Sequence, residues 1–272
     1  LGTTVRIYED STLDGPVMST DFSGEMKAEP AQFIELALAS FGLEKALPWR
    51  FEVSSNIPVG LGLGSSAALS VAFSGALASA SGLSLTIDEI SAHAFELESL
   101  VHGTPSGVDN TVVAYRKPVL FRRDAGMNCL EVGTSLDLIL ASSGEAGSTR
   151  EAVAAVGARR DENRAWFDEL CAQAEQLVQD AKVALEQGNP VSLGGLFNAT
   201  HALLCDIGVS NPMLEGLVNA ARQAGAYGAK LTGAGMGGCI VAVAPPDLVS
   251  TVIADLESAG APWVKHCRLE GN

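Results

Sequence analysis

Apolar and polar positions alternate from Thr4 to Glu9 and again from Arg50 to Ser55, the period-two pattern of strands with one buried face. Phe33, Ile34, Ala37, Leu38 and Phe41 recur instead at helical spacing, and Gly42 ends that run. Ser66 to Ser81 is small and apolar nearly all round, which predicts a buried helix. Thr86, Asp88 and Glu89 open another helix, whose face carries Ile90, Ala94, Leu97 and Val101. Glu98 falls at the edge of that face, where a surface position is its plain reading. Thr111–Tyr115 and Pro118–Arg122 read as strands that would pair as a hairpin, and Leu136–Ala141 as a short apolar strand.

The second half changes character. Residues 148–158, 161–187, 190–205 and 211–225 carry helical periodicity, punctuated at Gly188-Asn189-Pro190 and Asn211-Pro212. Strand Cys239–Ala244, helix Pro246–Ser258 and strand Trp263–Arg268 follow. The fold class is α+β, in two tightly packed halves, 1–132 and 133–272, without repeats or a low-complexity linker.

Composition narrows the partners. The net charge of −15 disfavours nucleic acid and anionic membranes, and leaves a polyanionic ligand dependent on local backbone N–H groups, lysine or a metal ion. The five cysteines form no C-x-x-C pair and the four histidines have no metal-ligand spacing, so free thiols in a reducing compartment are expected. No run of eighteen apolar residues free of turn signals is present and no signal-peptide pattern opens the chain, so a soluble, cytoplasmic protein is expected.

Three glycine-rich islands carry the candidate chemistry. Pro58-Val-Gly-Leu-Gly-Leu-Gly-Ser-Ser-Ala-Ala68 lies between a strand and a helix, the geometry that aims N–H groups at an anion. Gly60, Gly62 and Gly64 allow close backbone approach, and Ser65 and Ser66 fall where hydroxyls cap a helix or bind a metal. The spacing is neither a Walker A loop nor G-x-G-x-x-G. The second island, His102-Gly-Thr-Pro-Ser-Gly-Val-Asp-Asn110, can bring Asp109 back towards Glu98. Two such carboxylates suit Mg²⁺ binding and proton acceptance, while an Asx turn at Asp109-Asn110 is the bland alternative. In the third, Lys230-Leu-Thr-Gly-Ala-Gly-Met-Gly-Gly-Cys239, Lys230 reads equally as a phosphate contact and as a solvated side chain.

These islands together resemble the GHMP kinases, and the resemblance spans nearly the whole chain. Pro58 to Ala68 is similar to the family's second motif, which implies that Pro58, Gly60, Gly62, Leu63, Gly64, Ser65, Ser66 and Ala67 hold the ATP triphosphate and that Ser66 ligates Mg²⁺. Glu98 and His102 to Asn110 resemble the mevalonate kinase branch, which implies a Mg²⁺-binding Glu98, a catalytic Asp109 and mevalonate as acceptor. By the same resemblance Thr149 lies near the substrate. The third island is similar to the family's third motif, which places Thr232, Gly233, Ala234 and Gly235 on the phosphates and the reacting hydroxyl. The family reads glycine at Met236, so a positive φ there would strain methionine by about 1–2 kcal/mol. The implied architecture is a two-domain GHMP-kinase-like fold with an active-site cleft between the domains, and helices in the second half that could support a homodimer.

The family's first motif, a lysine-bearing segment ahead of the first strand, is not within these residues, which open at Leu1 already in a strand pattern. The expectation is weak nucleotide binding or slow phosphate transfer by these 272 residues alone. Other hydroxyl-phosphorylating GHMP kinases (for phosphomevalonate, homoserine or sugars) and a non-catalytic ligand sensor on the same fold are the competing readings.

Overall fold

The structure, a computed structural model, describes residues 1–21, 29–43, 47–102, 105–122, 126–147 and 149–271. By its internal contacts the chain divides into two units, one of Leu1–Val59 and Leu63–Cys129, the other of Gly60–Gly62 and Leu130–Asn272.

The first unit opens with β1 (Thr3–Glu9), β2 (Val17–Asp21), α1 (Pro30–Ser40) and β3 (Trp49–Ser55). The sheet order is β1-β3-β2, with β1 antiparallel and β2 parallel to the central strand. Register matches Val5 to Val53 and both Ile7 and Met18 to Phe51, which gathers the apolar positions on one face. Phe33, Ile34, Ala37 and Leu38 of α1 cover that face. So do Phe73 and Leu77 of α2 (Ser65–Ala80) and Leu97 of α3 (Ile87–His102). Phe73 stacks on Phe51 at 4.9 Å and meets Phe33 edge-on at 5.1 Å. Thr86 and Glu89 cap α3 reciprocally: Glu89 Oε2 accepts the Thr86 amide at 2.7 Å, and Thr86 Oγ1 accepts the Glu89 amide at 3.3 Å.

Residues 111–115 are not a strand. They belong to α4 (Val108–Tyr115), which starts from Gly107 in the left-handed region. Thr111 Oγ1 donates to Gly107 O at 2.7 Å, and buried Asn110 donates from Nδ2 to Ser91 O at 3.1 Å and Ser91 Oγ at 3.0 Å. These side-chain bonds and the glycine cap outweigh the strand preference of Thr-Val-Val. The partner of β4 (Val119–Arg122) is therefore β5 (Gly126–Cys129), paired antiparallel.

The second unit continues with β6 (Leu136–Ser142), α5 (Thr149–Glu162), α6 (Arg164–Glu186), α7 (Pro190–Asp206), α8 (Pro212–Gln223), β7 (Gly228–Thr232), β8 (Cys239–Ala244), α9 (Val249–Ser258) and β9 (Val264–Leu269). Its four strands form an antiparallel sheet in the order β7-β8-β6-β9. Ile139, Leu231 and Ile240 pack on Leu214, Leu217, Val252 and Leu256 from α8 and α9. Leu136 and Val243 pack on Ala184 and Leu193 from α6 and α7. Asn163, Asn189 and Asn211 cap α6, α7 and α8, each accepting a first-turn amide, with proline behind the last two. No helix among the described residues is long and apolar enough to cross a membrane.

An edge strand leaves backbone groups facing away from its sheet, and β7 has these satisfied by side chains. Asn198 Oδ1 accepts the Ala229 amide at 3.1 Å and Arg222 Nε at 2.6 Å, while Arg222 Nη2 donates to Ala229 O at 3.1 Å. The Leu231 amide donates to His201 Nδ1 at 3.3 Å, which leaves the ring proton of the neutral imidazole on Nε2. Lys230 is not a solvated side chain. It is partly buried, donates to Leu231 O at 2.9 Å and lies 5.7 Å over the Phe197 ring, and burial pushes its ammonium below the usual lysine range.

The loop that leaves β7 is pressed against its surroundings. A Cβ on Gly235 would stand 2.2 Å from Val209 O, and the Met236 amide donates to that same oxygen at 2.7 Å. Met236 has φ 56°, the strained conformation foreseen for it, yet its side chain packs on the core of the unit.

Two expected outcomes follow from these contacts. His201, 4% exposed, has its pKa lowered by burial and then by Arg222; Glu215 opposes this more weakly, and Lys230 adds the smallest lowering. The unfolded chain therefore takes up a proton below about pH 6.5 that the folded chain refuses. Stability is fully present above that pH and declines as pH falls below it. Urea midpoints between pH 7.5 and 5.5 should show this decline, and His201→Gln should flatten it; an unchanged slope in the variant would exclude His201 as the source. For Met236, alanine keeps the strain and loses packing, at a cost of about 1–2 kcal/mol. Glycine removes the strain, so Met236→Gly should be more stable than Met236→Ala by about 1 kcal/mol. Equal or reversed order in urea unfolding contradicts this balance.

Candidate active site

In the first unit, β3 runs through Pro58 into the first island, and α2 begins at Ser65. Gly60, Gly62 and Gly64 all adopt positive φ, at 81°, 73° and 70°. Gly64 is the N-cap of α2 and makes no side-chain capping bond, so the opening turn around Ser65, Ser66 and Ala67 keeps the polarity that attracts an anion.

Ser66 Oγ donates to Glu98 Oε1 at 2.6 Å, and Ser70 Oγ donates to the same oxygen at 2.8 Å. Glu98 is only 7% exposed, which overturns its surface reading. A buried carboxylate is expensive without donors, and α2 supplies two from successive turns. Ser70 is absent from the residues singled out by sequence. Its signal was the i, i+4 spacing from Ser66, hidden because a serine within a small-residue helix reads as filler.

Asp109 stands in the first turn of α4, on an exposed position. Partial desolvation by the surrounding protein, and then the nearby Glu98 charge, raise its pKa above the ordinary aspartate value. Ser66 and Glu98 thus form one hydrogen-bonded oxygen pair, and the Glu98 charge is felt at Asp109. Asn110 bonds α3 rather than turning back on Asp109, and by pinning α4 it fixes the base of the Asp109 side chain. Gly103 and Thr104, and the side chain of His102, lie outside the described residues.

In the second unit the first and third islands touch through their backbones. A Cβ on Gly62 would lie 3.7 Å from Gly233 Cα, and one on Gly238 would lie 3.1 Å from Leu61 O. Thr232 closes β7, and Gly233, Ala234 and Gly235 follow it. A Cβ on Gly147 would reach within 2.8 Å of Gly235 O, so the segment leading to exposed Thr149, at the start of α5, is seated on the third island. Ala234 and Ala152 line one apolar pocket, which sets that island beside the first turns of α5.

The oxygen pair of Ser66 and Glu98 fits Mg²⁺, a hard cation that prefers hydroxyl and carboxylate ligands. Among the described residues no group of three or more His, Cys, Asp or Glu is gathered as a metal cage. A small protein donor set of this kind suits a Mg²⁺ ion whose remaining positions go to phosphate and water.

Residues 31–117 match the model of the GHMP kinases N terminal domain, and residues 181–261 that of the GHMP kinases C terminal. The chain is 35% identical to the mevalonate kinase of Thermococcus sibiricus, covering 99% of this chain and 81% of that protein. It is 38% identical to the mevalonate kinase of Pyrococcus horikoshii, covering 88% and 71%. Its structure matches that of L. major mevalonate kinase in complex with R-mevalonate with a TM-score of 0.92 and 29% identity, over 99% of this chain and 87% of that one. The glycine islands and these likenesses agree: the chain belongs to the GHMP kinase family.

Proposed function

We propose that this protein transfers the γ-phosphoryl group of ATP to the primary hydroxyl of mevalonate, giving 5-phosphomevalonate, an isoprenoid precursor, and ADP. The observation that carries this reading is the Ser66–Glu98 oxygen pair with Asp109 alongside, on a fold that matches a mevalonate-bound kinase. The opening turn of α2 and the backbone from Pro58 to Ala67 take the triphosphate, with N–H groups supplying positive potential that the acidic chain otherwise lacks. Thr232, Gly233, Ala234 and Gly235 contact phosphate and acceptor from the second unit, and Thr149 contacts the acceptor. Ser66 and Glu98 would hold Mg²⁺, and the ion would offset the negative charge of the phosphates.

Asp109 accepts the proton of the attacking hydroxyl or orients that hydroxyl. Its raised pKa favours the first role, because a more basic carboxylate holds the incoming proton more firmly. The small-molecule acceptor, the net charge of −15 and the five free cysteines support a cytoplasmic enzyme with no nucleic-acid partner.

The test is ADP release with Mg-ATP and mevalonate, set against phosphomevalonate, homoserine and galactose. Turnover selective for mevalonate is expected. Asp109→Asn should lower kcat by about 10²–10⁴-fold with KM for both substrates changed only a few-fold. A variant that keeps kcat within a few-fold of the parent would remove Asp109 from the chemistry, and preference for another acceptor would replace mevalonate.

A further inference from the structure

Five serines lie on α2, at 65, 66, 70, 74 and 79, and those at 66, 70 and 74 recur every four residues, hence on one face of the helix. Ser66 is the one the family resemblance assigns. Ser70 and Ser74 are both buried, 1% and 0% exposed, and chemically identical, yet their surroundings differ. Ser70 Oγ donates to Glu98 Oε1 at 2.8 Å, whereas Ser74 Oγ has no hydrogen-bond partner.

A buried carboxylate needs donors, and the donors decide which way it faces. Glu98 Oε1 receives two hydroxyls from α2, one turn apart. The Ser70 bond, one turn deeper and from a fully buried position in packed helix, adds a fixed second donor to the oxygen that Ser66 meets. It also keeps the Ser66 proton directed at Glu98, so that the Ser66 oxygen offers its lone pairs elsewhere.

We infer that Ser70 is a positioning residue for the divalent-cation pair: it touches neither cation nor phosphate, and acts by fixing the Glu98 carboxylate against Ser66. Outer partners of this kind tune metal affinity rather than create it. The inference rests on the reading of Ser66 and Glu98 as the metal pair.

The experiment is Mn²⁺ titration of the full chain saturated with ADP, followed by electron paramagnetic resonance, with metal-free thermal unfolding recorded for every variant. Ser70→Ala should weaken Mn²⁺ binding by about tenfold to a hundredfold. Ser70→Thr, which keeps the hydroxyl, should restore most of it. Ser70→Cys keeps the volume but only a weak S–H donor, and should show the same loss as alanine; it serves if Ser70→Ala does not fold. Ser74→Ala, the same change one turn further along, should leave Mn²⁺ affinity at the parent value. The inference is overturned if Ser70→Ala or Ser70→Cys binds Mn²⁺ as the parent does, or if Ser74→Ala weakens binding equally. Because no acceptor is present, a different acceptor preference leaves the inference standing. A parent that binds no Mn²⁺ with ADP overturns both the metal pair and the role of Ser70.

Discussion

Burying the Glu98 carboxylate is the constraint around which the first unit is arranged. A charge held at 7% exposure cannot rest on hydrophobic packing; it requires donors at fixed positions. Ser66 and Ser70 meet that need only if α2 and α3 pack in one register, because each hydroxyl reaches from a different turn. The neighbouring apolar residues lock the register: Leu97, beside Glu98 in sequence, sits in the same core as Phe73 and Leu77 of α2. The aromatic stack of Phe73 on Phe51 then ties α2 to the sheet of this unit. Core packing and the Ser66–Glu98 pair are thereby coupled, and a shift of either helix disturbs both.

Asp109 obeys the opposite requirement. It stands on an exposed position, and only its root is fixed. Asn110 does the fixing by bonding Ser91, and Thr111 by bonding Gly107. The two carboxylates differ in environment: Glu98 accepts two serine hydroxyls, whereas Asp109 feels partial desolvation and then the Glu98 charge, and its pKa rises. Separate environments of this kind allow one carboxylate to hold a cation while its neighbour handles a proton.

Much of this was legible in the sequence because the signals are local. Alternate glycines before Ser-Ser-Ala-Ala, Asn-Pro pairs ahead of α7 and α8, and the Thr86–Glu89 box each act within a few residues, and each appears as expected. What the sequence hid depends on partners far along the chain. The burial of Glu98 is decided by hydroxyls 28 and 32 residues away. Lys230 is drawn in by Phe197 and its own backbone, which no spacing announces. The five-residue β2 carries little apolar content, and it exists because β3 offers a parallel partner. Residues 111–115 carried a misleading local signal, overridden by an anchor on α3 that only the fold supplies.

The third island shows how far backbone alone can carry a site. Gly233 and Gly238 meet Gly62 and Leu61 main chain to main chain, and Gly235 admits Val209 O where any Cβ would collide. Such contacts leave no room for side-chain adjustment, so the loop cannot relax by rotamer change, and its shape is inherited from β7. That strand is in turn an edge whose outward groups are satisfied by Asn198, His201 and Arg222. Residues on α7 and α8 thereby set the geometry of the third island. Met236 follows the same logic: a strained φ is tolerated because its side chain anchors the loop to the core from which the strand emerges. Strain at this position is a consequence of the rigidity of its surroundings.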